Sequence, residues 1–227
     1  LDVKLIDKMG SDLTVVNAAR VSFAKESEWE QITPAGAVPG VIKEKDEKLI
    51  GFLAKHNHWS PFAHCSLQFR IKAPIFVARQ LVKHQVGLSW NEISRRYVDY
   101  EPDFYDPDIW RARHEDKKQG SDEESNVEWI DRDTRTGRLH VEVYELAKEN
   151  YKRMLEAGVA PEQARMILPQ SMNTEWYWSG TLYAFARVCN LRCEKDTQLE
   201  SRIIADMIDE LAEECFPTSW KYLRNRD

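Results

Sequence analysis

Two short segments set the terms on which this chain can fold. Residues 65–72 alternate, with Cys65, Leu67, Phe69 and Ile71 on one side and Ser66, Gln68, Arg70 and Lys72 on the other. Residues 172–178 do the same, with Met172, Thr174, Trp176 and Trp178 opposite Asn173, Glu175 and Tyr177. A period of two marks a half-buried strand. The two lie far apart in sequence, so any sheet that joins them is closed by long-range contacts. A third, weaker alternation at 3–7 predicts one more strand. Most of the rest is helical in period. Ser11 caps a helix running to about 21, and another spans 43–56 with Leu49, Ile50, Phe52 and Leu53 as its apolar stripe. Pro74 opens a helix to about 84 as its first residue. Others cover 139–156 (ended by Gly158), a short stretch from Pro161 to near Pro169, 181–191, and 197–215. The last carries Leu199, Ile203, Met207 and Leu211 as a core stripe and stops at Pro217. Residues 85–97 read as neither helical nor alternating. Few strands among long helices predict an α+β fold, a small, mainly antiparallel sheet covered by long helices. The expected organisation is a single domain over 1–227, with loop insertions near 25–41 and 111–138.

Composition removes several function classes. The net charge of −6 argues against a protein that coats a nucleic acid polymer. No apolar run approaches the length of a membrane span. The charged, alternating start, residues 1–8, does not read as a signal peptide. Four cysteines with no Cys-x-x-Cys pair fit reduced thiols in the cytoplasm. The nine glycines never form Gly-x-Gly, so a dinucleotide-binding loop and a P-loop are both absent.

The residues able to carry chemistry concentrate in 83–97, where Lys83, His84, Gln85, Asn91, Glu92, Ser94, Arg95 and Arg96 crowd together. Guanidinium forks suit phosphate or a pair of carbonyls, and Asn, Ser and Glu orient a base or sugar. A solvated loop with incidental salt bridges is the plain alternative. Arg165 and Arg192 are flanked by apolar residues and so are expected to point inward, where each would need an anion or an ordinary ion pair. His56, His58 and His64 offer a metal site only weakly, without an acidic partner at helical spacing; no metal is expected. Cys189 and Cys193 share a helical face and fit apolar packing better than nucleophilic chemistry.

Taken together, several segments resemble the flavin-dependent thymidylate synthases. They are Leu5-Ile6-Asp7-Lys8-Met9-Gly10-Ser11-Asp12-Leu13, Ala18-Ala19-Arg20-Val21-Ser22-Phe23, and Lys55-His56-Asn57-His58-Trp59-Ser60-Pro61-Phe62-Ala63-His64. Further along come Lys72-Ala73-Pro74-Ile75-Phe76-Val77-Ala78-Arg79-Gln80, Ser89-Trp90-Asn91-Glu92-Ile93-Ser94-Arg95-Arg96-Tyr97, Ala164-Arg165-Met166-Ile167-Leu168-Pro169 and Asn190-Leu191-Arg192. Their order and spacing over nearly the whole chain carry the resemblance.

The resemblance implies reductive methylation of dUMP to dTMP. The carbon donor would be 5,10-methylenetetrahydrofolate, with FAD reduced by NADPH as the hydride source and no cysteine nucleophile. It implies Arg192 as the catalytic arginine facing the pyrimidine. For dUMP it implies Gln80, Lys83, Glu92, Ile93, Ser94, Arg95, Arg96, Arg165 and Arg192. For FAD it implies Ser60, Lys83, His84, Gln85, Asn91, Glu92, Thr181 and Arg187, and it places His58 on the folate or nicotinamide side. A homotetramer whose sites draw on more than one subunit is expected, located in the cytoplasm. The alternative is a nucleotide- or flavin-binding protein of the same fold without turnover. Departures from the family pattern favour it. Lys83-His84-Gln85 stands where the family has Arg-His-Arg. Thr181 and Arg187 stand where asparagine is frequent, and Asp196 where a histidine is common.

Overall fold

The two alternating segments become adjacent strands at the centre of one sheet. In the computed structural model, which describes residues 1–30, 40–115, 120–123, 125, 127 and 139–224, β2 (Ser66–Pro74) and β6 (Asn173–Thr181) pair antiparallel over their whole length. β1 (Asp2–Met9) adds to the free side of β2, and β3 (Leu88–Glu92) to the free side of β6. The order is β1-β2-β6-β3, antiparallel throughout. Alternation then does what a pleat requires. Leu67, Phe69, Ile71, Thr174, Trp176 and Trp178 are buried on one face. On the other face Gln68 donates to Ser179, and Arg70 pairs with Glu175.

Each central strand runs directly into a helix, and both helices pack back on the same strand pair. β2 leads into α3 (Ile75–Leu81), with Pro74 as the extended cap residue, one position earlier than the sequence suggested. β6 leads into α6 (Leu182–Arg192), whose first turn is closed by Thr181, its hydroxyl accepting from the Ala184 amide at 3.1 Å. A cap of this kind contributes about 1 kcal/mol. Phe185 of α6 meets the rings of Phe69 and Trp178 edge-on, at 5.0 and 5.4 Å between centroids. α1 (Asp12–Arg20), α2 (Glu44–Lys55), α7 (Leu199–Cys215) and α8 (Pro217–Leu223) complete this layer. Two buried carboxylates hold it together. Asp12 accepts from the amides of Thr218 and Ser219, closing the start of α8, and Asp46 pairs with Arg20 and the Ser27 hydroxyl. α4 (Leu139–Glu156) and the short α5 (Pro161–Ala164) stand to one side of the sheet.

Several expectations need correction. Residues 85–97 contain β3, where Leu88 and Trp90 turn inward and Ser89 and Asn91 outward. An alternation with only two apolar members is too short to read, and Gly87, in the left-handed region at φ +77, hides where it starts. The helix over 197–215 is real, but its buried stripe is Ser201, Ile204, Ala205, Ile208 and Ala212. Small residues face α6 because the helices approach closely there, the Cys189 thiol donating to the Ala205 carbonyl at 3.6 Å. The larger Leu199, Ile203, Met207 and Leu211 are half-buried at the edges of that contact. Pro217 ends one helix and opens another, as its fixed φ and missing N–H allow. Phe52 is exposed and packs on the rings of His56 and His58. Of the two tracts expected to be insertions, 31–39, 116–119, 124, 126 and 128–138 lie outside the described residues. The described part of the second pairs β4 (Ala112–Arg113) with β5 (Ser121–Asp122).

β3 can pair with β6 only because position 180 carries no side chain. A Cβ there would overlap the Gly87 carbonyl oxygen and the Leu88 side chain. Gly180→Ala is therefore expected to destabilise the fold by about 1–3 kcal/mol, the usual cost of overpacking. A lowered urea midpoint measures it. An unmoved midpoint would show that β3 shifts freely and is not pinned by this contact.

Candidate functional site

The turn that follows α3 and the last residue of α6 meet at a pair of side chains 108 residues apart in sequence. The Nε of Arg192, the last residue of α6, donates to Nε2 of His84 at 3.0 Å. To accept that bond the imidazole must be neutral, with its proton on Nδ1. The surroundings enforce this. Burial, and then the nearby cations Arg192 and Arg187, push the His84 pKa down to about 4. The bond holds the guanidinium at Nε and leaves both terminal nitrogens for another acceptor. Arg192 is half-buried, close to the inward placement expected. Lys83 and Gln85, on either side of His84 in sequence, and Arg187, in the same helix as Arg192, are exposed.

A second group sits on β3 and the turn that follows. Both oxygens of Glu92 are held by the scaffold, one accepting from Thr174 Oγ1 at 2.7 Å and the other from Trp90 Nε1 at 3.2 Å. The Ile93 amide donates to the Glu175 carbonyl at 2.9 Å, fixing the chain as it leaves the sheet. Ser94 Oγ accepts from the Arg96 amide at 3.3 Å. The adjacent arginines then part. Arg95 is buried, its guanidinium 4.5 Å from the Tyr100 ring and 5.6 Å from the Tyr151 ring, donating to the Tyr100 carbonyl. Arg96 is exposed, with Nε 3.3 Å from Glu162 Oε2. Arg165, expected to point inward, is exposed on the 3-10 turn after α5, and its Nε donates to the Glu162 carbonyl at 3.3 Å. Glu162 thus contacts two exposed arginines in different ways, Arg96 through its carboxylate and Arg165 through its backbone carbonyl.

Gln80 lies on α3, half-buried, with its amide nitrogen donating to Gln198 at the start of α7. Ser60, His58 and Asn91 are exposed. Thr181 spends its acceptor on the α6 cap, which leaves its hydroxyl proton as donor. No side-chain hydrogen bond or ion pair among the described residues joins the Arg192–His84 group to the Glu92–Arg96 group. Asn57, Tyr183, Arg187, Asn190 and Leu191 line a cleft of about 370 Å³ at the outer face of α6. Within it the Asn190 amide is already engaged, donating to the Leu223 carbonyl and accepting from Arg224. Thr174 as the Glu92 anchor and Tyr151 against Arg95 could not be read from the string, because they come from a strand and a helix far along the chain.

The thiols are chemically quiet. Burial pushes Cys65 up to about 12 and raises Cys189 and Cys215 as well. A nucleophilic thiol needs the opposite shift. His56 packs tilted on Phe52 and His58 meets it edge-on, the two imidazole centroids lying 6.2 Å apart. Among the described residues no group of three His, Cys, Asp or Glu could hold a metal ion.

Residues 4–218 match the model of the family described as thymidylate synthase complementing protein. The chain is 37% identical, over 98% of its length and 90% of the relative's, to a flavin-dependent thymidylate synthase of Kosmotoga olearia. It is 37% identical to one of Thermus thermophilus, over 96% of its length and 73% of the relative's. In structure it is similar to the UMP/dUMP methylase PolB of Streptomyces cacaoi bound with 5-Br UMP. The TM-score is 0.77 at 29% identity, covering 97% of this chain and 92% of that one.

The neutral histidine has a thermodynamic consequence. Between about pH 6.5 and about pH 4 the unfolded chain protonates this imidazole and the folded chain does not. Protons thus favour the unfolded state across that window, and stability falls as pH falls. His84→Gln removes this contribution. The variant is expected to lose less stability than the wild type between pH 7 and 4, read from denaturant midpoints at each pH. Parallel pH curves would place the histidine proton elsewhere.

Proposed function

Because the chain belongs to the thymidylate synthase complementing protein family, we propose that it converts dUMP to dTMP as a flavin-dependent thymidylate synthase, and that its own residues divide the work in the following way. Arg192 faces the pyrimidine. The observation that carries this is the His84 contact, which fixes the guanidinium at Nε and leaves its terminal N–H groups for the ring. A fixed cation beside N3 favours loss of that proton and stabilises charge developing on the uracil, which makes C5 the better nucleophile toward the methylene carbon of 5,10-methylenetetrahydrofolate. The folate leaves as tetrahydrofolate and the C5 proton is lost. Reduced FAD, replenished by NADPH, supplies the hydride that completes the methyl group when the cofactor is bound.

The phosphate reading favours the exposed Arg96 and Arg165, the first bonded to the Glu162 carboxylate and the second to its backbone carbonyl, with Ser94 two residues before Arg96. Arg95 is committed to Tyr100 and supports the turn from beneath. Glu92 and the Ile93 backbone hold the shape of β3 next to the substrate, and Gln80 and Lys83 complete its contacts. FAD is assigned to Ser60, Lys83, His84, Gln85, Asn91, Glu92, Thr181 and Arg187. His58 sits on the folate or nicotinamide side. Arg187 offsets the charge lost where Gln85 replaces an arginine of the family pattern. Its field is felt at His84, which supports that placement.

A site built from two separate groups supports a homotetramer in which a neighbouring copy completes it. The exposed apolar face beside Arg165 supports the same reading. There Val143, Leu146, Met154, Val159 and Ile167 line a groove of about 550 Å³ and Met166 is 80% exposed. No helix among the described residues is long and apolar enough to cross a membrane. The four free thiols favour the cytoplasm as the place of reaction.

Turnover is tested with dUMP, methylenetetrahydrofolate and NADPH, with and without FAD added back after flavin removal. FAD-dependent dTMP is the expected product, and binding of dUMP without product would instead select the non-catalytic alternative. Arg192→Lys keeps the charge and loses the fork, and kcat is expected to fall roughly ten- to a thousandfold; a wild-type rate would take Arg192 out of the reaction. Arg187→Ala is expected to weaken FAD binding several-fold in a flavin fluorescence titration, and unchanged affinity would remove it from the cofactor site.

A further inference from the structure

We propose that Arg111 is a positioning residue for substrate, fixing the orientation of the Gln80 amide through Glu200 and Gln198. This rests on the reading of Gln80 as a nucleotide contact. The four side chains form one continuous relay. Arg111 Nη2 donates to Glu200 Oε1 at 2.7 Å, Gln198 Nε2 donates to Glu200 Oε2 at 3.0 Å, and Gln80 Nε2 donates to Gln198 Oε1. Arg111 is itself held by Ser121 Oγ, 2.7 Å from its Nε. Glu200 is almost fully buried, its side chain 5% exposed, and the Arg111 side chain is 14% exposed.

The polarity of this relay follows from donor and acceptor chemistry. A primary amide can point either end toward a neighbour, and its two ends are hard to tell apart by shape. A carboxylate can only accept. Glu200, paired with a guanidinium, therefore obliges Gln198 to present its NH2. Gln198 then has only its carbonyl to offer Gln80, so Gln80 must in turn present its NH2 to Gln198. The Gln80 carbonyl oxygen takes part in no hydrogen bond among the described residues. The guanidinium at one end thus determines that an acceptor is shown at the other. Without Arg111 the buried carboxylate would take up a proton or draw in water, and both amides would be free to turn.

This assigns a function to the segment after Trp110, which the sequence left without one. The segment carries Arg111 to the start of α7, where Arg202 also pairs with Glu123 at 2.6 Å. Arg111, Gln198 and Glu200 line a cavity of about 300 Å³ together with Phe76, one turn of α3 from Gln80. The chemistry presented at Gln80 is a hydrogen-bond acceptor. It takes a donor of the nucleotide, either the sugar 3′-hydroxyl or the ring N–H, and it is unsuited to the phosphate.

The test is steady-state kinetics with the full chain, reading KM for each substrate separately from kcat. Gln80→Ala is expected to raise KM for dUMP roughly tenfold, as for a lost hydrogen bond to substrate. Arg111→Met should raise the same KM several-fold and leave the KM values for the folate and NADPH unchanged. The double variant should be no worse than Gln80→Ala, because both changes act on one contact. Arg111→Met/Glu200→Gln removes the buried unpaired charge and covers the case in which the single change unfolds the protein. A 3′-deoxy analogue of dUMP identifies the donor. If Gln80→Ala abolishes discrimination against the analogue, the hydroxyl is the donor. If discrimination is kept while the KM for dUMP rises, the ring N–H is; the relay stands in both cases. A wild-type KM for dUMP in folded Arg111→Met, with Gln80→Ala impaired, overturns the relay and leaves Gln80 in the site. A wild-type KM in Gln80→Ala overturns the reading of Gln80 itself. Equal rises in all three KM values for Arg111→Met reduce the ion pair to a structural one and also overturn the relay.

Discussion

The pairing of β2 with β6 is the constraint on which the rest of the structure hangs. Nine residues from each strand lie side by side, a ladder about 30 Å long at ~3.3 Å per residue. The strands are antiparallel and each continues without a loop into a helix, so α3 and α6 start from opposite ends of the ladder and run back along it. At ~1.5 Å per residue their seven and eleven residues cover about 10 and 16 Å. Their ends therefore approach one another over the same strand pair, which is where His84 and Arg192 meet. The contact follows from the lengths of four elements and from the missing loops between them. An inserted residue at either strand-to-helix junction would turn one partner away.

That meeting point also resolves an electrostatic difficulty. The chain carries a net charge of −6, yet its reading requires it to hold anions. Burial, and then Arg192 and Arg187, depress the proton affinity of His84, so the histidine adds no further positive charge and serves as an acceptor. At Glu162 only Arg96 pairs with the carboxylate, while Arg165 donates to the backbone carbonyl. Local excess charge in a partly desolvated setting governs ligand binding more than the sum over the chain does.

What could be read from the sequence, and what could not, divides along physical lines. Strands β2 and β6 were legible because both alternate over enough residues, and most helices because their apolar periodicity spans several turns. β3 was not, since an edge strand with two inward residues has almost no pattern. The buried stripe of α7 was misplaced because size was taken as a guide to depth. Ser201, Ala205 and Ala212 are buried because they are small enough for two helices to touch. At the candidate site, residue types and spacing brought out the arginines and His84, but not their states. Nothing in the string distinguishes Arg95, stacked on two tyrosines, from Arg96 in solvent. The inward placement expected of Arg165 failed because its apolar neighbours Met166 and Ile167 are themselves exposed.

The candidate residues also differ in how firmly the scaffold holds them, and that difference has a mechanistic meaning. Arg192, Glu92 and Gln80 are each hydrogen-bonded to side chains of the folded core, namely His84, Thr174 with Trp90, and Gln198. Ser60, Lys83, Gln85, Arg96, Arg165 and Arg187 are exposed. Groups that must meet charge as it develops on a ring gain most from being fixed beforehand, since reorganisation during the reaction would offset their benefit. Groups that grip a phosphate can be ordered by the ligand, at a cost of roughly 0.5–1.5 kcal/mol for each long side chain immobilised. The replacement of family arginines by Lys83 and Gln85 falls wholly among the exposed residues. On the proposed assignment it bears on how tightly a ligand is held, and it leaves in place the hydrogen bonds that orient Arg192, Glu92 and Gln80.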